Sequence, residues 1–222
     1  MDLEKKAAPR GRPRLITQER IADAGIEMGL PNITFVGVAS ALGVTHMALY
    51  KHVPSLAELK HMVAEEIFRR WEFSLPKAGV QEGLQDYLVR FSDSVREFAK
   101  TYPGVTPYVI RRLVATPAML EKIDAHQQEV AQAYRIDKDQ SRQLLATIAF
   151  HGLAAADSVY SAARQETVVQ TSYEAETAEM EGDLAQGMHA LIAGALLARY
   201  VGQFLHLYTE GQSAGWIASI IG

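Results

Sequence analysis

Arg10, Arg12 and Arg14 alternate with Gly11 and Pro13, and further on Thr45-His46-Met47-Ala48-Leu49-Tyr50-Lys51-His52 interleaves hydroxyls, imidazoles and an ammonium with apolar groups. Neither set has the spacing of a nucleophile, base and acid. Guanidinium and ammonium groups pair with phosphate oxygens, while hydroxyls and imidazoles donate to phosphates or to base edges. The chemistry on offer is therefore the gripping of a polyanion. Gly11 and Pro13 keep the arginine segment extended, and arginine suits the narrow, electronegative minor groove of A·T-rich DNA. Arg10, Arg12 and Arg14 are accordingly expected in a minor groove, and a solvated tail that only aids solubility is the alternative at this point.

A short helix read from its N-terminal end directs its first side chains to the major groove and its later polar ones to the backbone. Thr45, His46, Met47 and Ala48 are the expected base-edge set, and Tyr50, Lys51 and His52 the phosphate set. Met47 and Ala48 offer only apolar contact, such as packing on a thymine methyl, whereas Thr45 and His46 can hydrogen-bond. Thr34, at the start of the preceding helix, adds a phosphate contact through its hydroxyl and the helix N-terminus.

The elements that must hold these residues read as helices throughout, with no useful strand alternation. Thr17 caps a helix carrying Ile21, Ala24 or Gly25, and Met28, and Gly29-Leu30-Pro31-Asn32 stops it. Val38, Ala39 and Leu42 form the inner face of a second helix, Gly43 takes the sharp turn, and Val44 and Leu49 face inward around a third. Pro54 and Ser55 start a longer helix with Leu59, Val63, Ile67 and Trp71 in register, expected to run over 55–75 until Pro76 closes it. By itself the 33–53 stretch is equally compatible with a helical hairpin inside a bundle.

Taken together, the "RGRPR" arm, "TQERIADAGIEMG", "TFVGVASALGV" and "THMALYKHVPSLAEL" resemble the DNA-binding region of the tetracycline-repressor (TetR) family of bacterial transcription regulators. The resemblance is firm over residues 12–62, and Tyr50 with His52 matches the family's aromatic-x-His. One position departs: a lysine is common just after the serine that caps the fourth helix, and Leu56 stands there, with Lys60 one turn on as a possible substitute. The resemblance implies an all-α fold in which an N-terminal three-helix helix-turn-helix domain is joined by a connecting helix to a larger helical ligand-binding and dimerisation domain. The expected division is an arm over 1–14, the reading domain over 15–60 and the effector and dimer domain over 61–222.

Beyond residue 75, helices are expected over 81–100, 104–113, 117–135, 139–165 and 182–209, separated by turns and an acidic stretch before 182. Small residues at Gly187, Gly194, Ala198 and Gly202, flanked by Leu191, Ala195 and Leu205, form a stripe that another helix can approach closely. Leu145, Ile148, Gly152, Ala156 and Val159 offer a similar stripe one helix earlier, so two helices from each of two chains are expected to make a four-helix dimer interface, unless both simply fill the chain's own core. "IAFHGLAAAD" resembles the His-Gly signature of one C-terminal subtype. Symmetry then implies a palindromic operator on double-stranded DNA.

Trp71, Tyr87, Phe91, Phe98, Tyr102, Tyr108, Phe150 and His151 are the candidate lining of a partly apolar effector pocket, with His126 and His189 also available. Taken singly, each is more at home in ordinary core. The histidine spacing suggests no metal site, and no cofactor or catalytic motif is visible, so the protein is expected not to be an enzyme. The function implied is a dimeric repressor released from its operator by a small molecule. The alternatives are a helical carrier or enzyme with a vestigial reading head, or a regulator triggered by a protein partner.

Composition fits this reading. The 222 residues are 48% hydrophobic and 22% charged with no cysteine, which removes disulfides and thiolate chemistry. The net charge of −4 hides an asymmetry: residues 1–14 carry five cations against two acids, and residues 76–222 carry 17 acids against 12 cations. No signal peptide or membrane span is legible, and a cytoplasmic protein is expected.

Overall fold

The structure, a computed structural model, describes residues 16–77, 82–110, 115–162 and 173–221. The described residues form helices and no strand. The chain divides into two compact units, Met1–Val63 and Ala64–Gly222.

The first unit begins with α1 (Gln18–Met28), whose orphan amide at Arg20 donates to Thr17 Oγ1 at 3.2 Å. Gly29, at φ +75°, ends α1 and leads through a 3-10 turn at Leu30–Asn32 into α2 (Phe35–Leu42). Thr34 caps α2 by accepting from Gly37 N–H at 3.0 Å. Gly43 then adopts the left-handed conformation (φ +69°, ψ 34°), its N–H bonding Ser40 O and that of Val44 bonding Ala39 O. That pair of bonds is a Schellman cap, which any residue with a Cβ would strain. The turn delivers α3 (His46–Tyr50), capped by Thr45, and then α4 (Leu56–Arg70), whose first amides are met by Ser55 Oγ at Glu58 N–H. Ile21, Ile33, Val38, Leu49, Val53, Leu59 and Val63 are fully buried, and Ala39 is 3% exposed where α2 and α3 converge.

The second unit contains the remainder of α4, then α5 (Leu84–Thr101), α6 (Thr106–Val109), α7 (Pro117–Tyr134), α8 (Lys138–Ala162) and α9 (Tyr173–Ile221). α8 packs on α5, α7 and α9, with Leu88, Val95, Ile148 and Ile192 fully buried between them. At Gly152 an added Cβ would stand 3.1 Å from Val95 Cγ1, so α8 and α5 meet backbone-close there.

Three expectations change. First, residues 173–182 belong to α9 and do not separate two helices. Their acids are good helix formers placed at the end where the macrodipole favours negative charge, and Glu181 accepts from both Lys100 and Tyr160 at 2.9 Å. At 49 residues α9 is about 74 Å long. Second, Leu145, Ile148, Gly152, Ala156 and Val159 lie buried inside their own unit, so this stripe is core and is not free for a partner. Third, α4 ends at Arg70, short of residue 75. No helix among the described residues is long and apolar enough to cross a membrane.

The closest helix approach in the first unit is at Gly25 of α1, where an added Cβ would run into the Val63 side chain of α4. Gly25→Ala should destabilise the protein by about 1–3 kcal/mol through overpacking. The double variant with Val63→Ala should lose less than the sum of the two single losses, read from urea unfolding midpoints.

Candidate functional site

The two threonine caps shape the outer surface of the first unit. Thr34 and Thr45 are exposed and spend their hydroxyl oxygens as acceptors for Gly37 and Ala48 amides, which leaves each hydroxyl proton free for an external acceptor. Leu49 is fully buried and fixes the roll of α3. With Leu49 inward, His46, Met47, Lys51 and His52 stand in solvent, and Ala48 is half-buried. Tyr50 stacks on Phe35 of α2 at 4.2 Å and 12°, yet remains 44% exposed, so packing sets the ring while one edge still faces out. Lys60 is half-buried on α4 and Leu56 is 41% exposed at its first turn. The structure thus brings Thr45 to His52 together as one solvent-facing surface, flanked by Thr34. Arg10, Arg12 and Arg14 lie outside the described residues.

This surface is apolar as well as polar. Met47 is 63% exposed and Val36, on the first turn of α2, is 71% exposed. Val36 was missed in the sequence because its position gives no signal beyond being off the Phe35/Val38/Ala39/Leu42 inner face.

The second unit holds a cage of aromatic rings. Trp71 stacks on Phe98 at 4.1 Å and 14°, and Phe68 meets both rings edge-on. Tyr102 adjoins Phe98 at 5.6 Å. Tyr87 and Phe91, both on α5, flank His126 of α7, with Tyr87 Oη 2.7 Å from His126 Nε2. Phe73 stands 4.7 Å from the His126 ring and edge-on to Trp71 and Phe68. Tyr134 closes on Tyr87 at 5.2 Å.

Burial drives the His126 value down to about 4, against a smaller raising effect from a backbone hydrogen bond with Ser74. Burial therefore keeps the imidazole neutral at pH 7, and its Nε2 shares a hydrogen bond with the Tyr87 hydroxyl. Burial likewise raises the Tyr87 phenol well above its ordinary range, and that of Tyr134 to about 12. Both hydroxyls stay protonated, and the cage interior carries no ionised group at neutral pH.

The rim is charged and fully engaged. Lys122 of α7 donates to the carbonyls of Phe68 and Arg69 at 3.1 and 2.8 Å and to that of Trp71, capping the open end of α4. These carbonyls are the acceptors a helix terminus leaves unpaired, and a cation there also meets the negative end of the macrodipole. Burial is the main cause that lowers the Lys122 value. Thr116, the cap of α7, donates to Glu65 of α4 at 2.7 Å. Arg90 pairs with Glu82 at 2.6 Å and donates to Leu75 O at 3.0 Å. Lys122 therefore explains the early end of α4: the last carbonyls are taken by a side chain instead of by a further helical turn.

Of the expected pocket residues, Trp71, Tyr87, Phe91, Phe98 and Tyr102 come together, and Tyr108 sits half-buried on α6 with its phenol raised by burial. Phe150 and His151 do not join them. Phe150 is 55% exposed and pairs with His151 on the outer surface of α8, because Ile148 and Gly152 turn the opposite face inward. Phe68, Phe73 and Tyr134 were missed: Phe73 read as part of a continuing helix, and only the carbonyl cap by Lys122 reveals otherwise. His189 borders a shallow cleft elsewhere, with Ser92, Asp93, Arg96 and Met188. Among the described residues no group of three His, Asp or Glu side chains is placed to hold a metal ion.

On α9, Gly187, Gly194 and Ala198 are exposed, Leu191 and Ala195 half-buried, and Leu197 is 64% exposed. An added Cβ at Gly187 or Gly194 would meet nothing within 4 Å. The side chains of Gly202 and Leu205 lie outside the described residues.

The described residues make an all-helical chain with a capped helix-turn-helix in one unit and an aromatic cluster in a larger helical unit. Comparison with solved structures gives this architecture a specific form. A glutamine-to-alanine variant of TetR from Acinetobacter baumannii AYE in complex with minocycline matches with a TM-score of 0.63 at 20% identity, over 84% of this chain and 99% of that one. TetR from Acinetobacter baumannii AYE matches with a TM-score of 0.60 at 18% identity, over 83% and 99%. The chain therefore has the fold of these TetR structures. No protein-family model and no curated protein matches the sequence.

The buried neutral His126 ties stability to pH. Its value is depressed in the folded state from 6.5 to about 4, so the unfolded chain binds the extra proton between these limits. Its contribution is complete above pH 6.5 and is lost as pH falls toward 4, by up to about 3 kcal/mol. Urea midpoints measured from pH 7 to 4.5 should fall accordingly, and His126→Gln should flatten that part of the curve. The engaged carboxylates Glu66 and Glu82, whose values are lowered by their arginine partners, lose their contributions only at lower pH.

Proposed function

We propose that the protein is a TetR-family transcriptional regulator: a homodimer that binds a palindromic DNA operator through α2 and α3 and leaves it when a small molecule enters the second unit. The carrying observation is the capped helix-turn-helix that buries Leu49 and turns Thr45, His46, Met47, Tyr50, Lys51 and His52 outward, on a chain with the fold of TetR. Thr34, Thr45 and Lys51 grip phosphates or base edges, and His46 and Met47 read bases. Arg10, Arg12 and Arg14 extend the contact into the adjacent minor groove. The cage of Trp71, Tyr87, Phe91 and Phe98 supplies the effector site, its ligand chemistry partly apolar with one polar pair, Tyr87 and His126. The A. baumannii variant that shares this fold is in complex with minocycline, which supports binding of a small molecule.

The exposed stripe of Gly187, Gly194, Leu197 and Ala198 on α9 supports dimerisation there, together with Phe150 on the outer face of α8. Leu191 and Ala195 border it. α4 carries the chain from reading head to cage. An effector that binds the released state more tightly shifts the equilibrium, and a coupling of about 1–3 kcal/mol weakens operator binding roughly 5- to 150-fold. The protein performs no catalysis in this scheme and acts in the cytoplasm.

Selection from random duplexes at about 0.15 M salt should enrich a palindrome with A·T-rich flanks. Lys51→Ala should weaken binding to all selected sequences alike and lower the salt slope by about one, and removal of residues 1–14 should lower it further. No enrichment from the pool would sink the reading. Leu197→Glu should sediment as a monomer with unchanged helical circular dichroism and lose affinity for the palindrome.

A further inference from the structure

Phe73 differs from the rings that the helices of the cage carry. Phe68, Tyr87, Phe91 and Phe98 lie on helices and are at most 4% exposed, and Trp71 still donates its backbone N–H to Ile67 and Phe68. Phe73 comes from the non-helical stretch after α4 and is only half-buried. Its ring nonetheless stands at the heart of the cluster, against His126, Trp71 and Phe68, with the Lys122 ammonium 5.0 Å above it. The backbone on both sides is latched by side chains: Lys122 to Trp71 O and Arg90 to Leu75 O. Two polar contacts thus hold in place a segment that inserts the Phe73 ring into the cluster beside Trp71.

The site would suit a free aromatic molecule for the same reasons that it suits Phe73. Its walls offer stacked and edge-on faces, its polar pair Tyr87–His126 is internally satisfied, and Lys122 already donates to three carbonyls. No charge inside it calls for a counter-ion.

We propose that the Phe73 ring is a tethered occupant of the cage, and that a neutral planar aromatic molecule enters by taking its place, lifting the 72–75 segment and loosening the carbonyl cap on α4. This deepens the proposed function and rests on reading the cage as the effector site. Displacement then reaches the reading head directly, since the freed segment is the continuation of α4.

Indole serves as the probe, with the full chain and no DNA present. Calorimetric titration should show weak binding to the natural protein and binding at least tenfold tighter to Phe73→Ala, because the variant has no internal competitor. Phe73→Leu, which refills most of the volume and preserves folding, should bind between the two. In the natural protein, saturating indole should speed amide exchange over residues 72–77. Equal indole affinity in all three proteins, or slower exchange over 72–77 on binding, would overturn the proposal. With a selected operator, indole should weaken DNA binding by the natural protein. If no operator is selected but the indole results hold, the DNA reading fails while the displaced ring stands.

Discussion

The end of α4 is the constraint on which the second unit depends. A helix that stops exposes its last carbonyls, and burial makes those groups costly unless a donor meets them. Lys122, reaching from α7, meets three of them at once. Its ammonium has three N–H groups, so the match is complete, and its charge sits at the negative pole of the helix. From this follow the turn after Arg70, the stack of Trp71 on Phe98, and the arrival of Phe73 beside His126. The Thr116–Glu65 bond, at the cap of α7, pins the same helix from its side. α7 thereby holds α4 at two points, and any change in the cage is felt where the connecting helix ends.

The first unit works by different means. Its α3 has five residues and α2 eight, far below the length at which a helix holds by itself. Side-chain caps at Thr17, Thr34, Thr45 and Ser55, the Schellman turn at Gly43, and full burial of Val38, Leu49 and Val53 make up the difference. Thr34 and Thr45 face outward, so groups that stiffen the helices also stand on the solvent-facing surface of α2 and α3. The stacking of Tyr50 on Phe35 joins α3 to α2 and leaves the two helices little independent freedom.

Much of this was legible in the chain. The helix-turn-helix was readable because its determinants are local: Thr caps, a glycine at the left-handed turn, and inner-face spacing over one or two turns. Thr17 and Thr45 cap their helices and Gly43 takes the turn as their positions imply. The cage was half legible. Trp71, Tyr87, Phe91 and Phe98 converge, but Phe150 and His151 point away and Phe73 replaces them. Aromatic identity announces a tendency to be buried and says nothing of which cluster a ring will join. The α8 stripe misled for a related reason: Ile148 and Ala156 have the composition of an interface and of a core alike, and only the packing of α5 and α9 against α8 decides which.

What the amino-acid order determined by itself was the all-helical class, the helix-turn-helix and its outward residues, because caps, turns and periodicity act over a few neighbouring residues. What the tertiary structure decided was where α4 stops, which rings face one another, and that the acidic run from Tyr173 continues as helix. Those outcomes depend on partners far apart in the chain, Lys122 with Phe68, His126 with Tyr87, Lys100 with Glu181. Hydrogen bonding and burial reward such meetings only after the chain has folded back on itself, so no local pattern carries their trace.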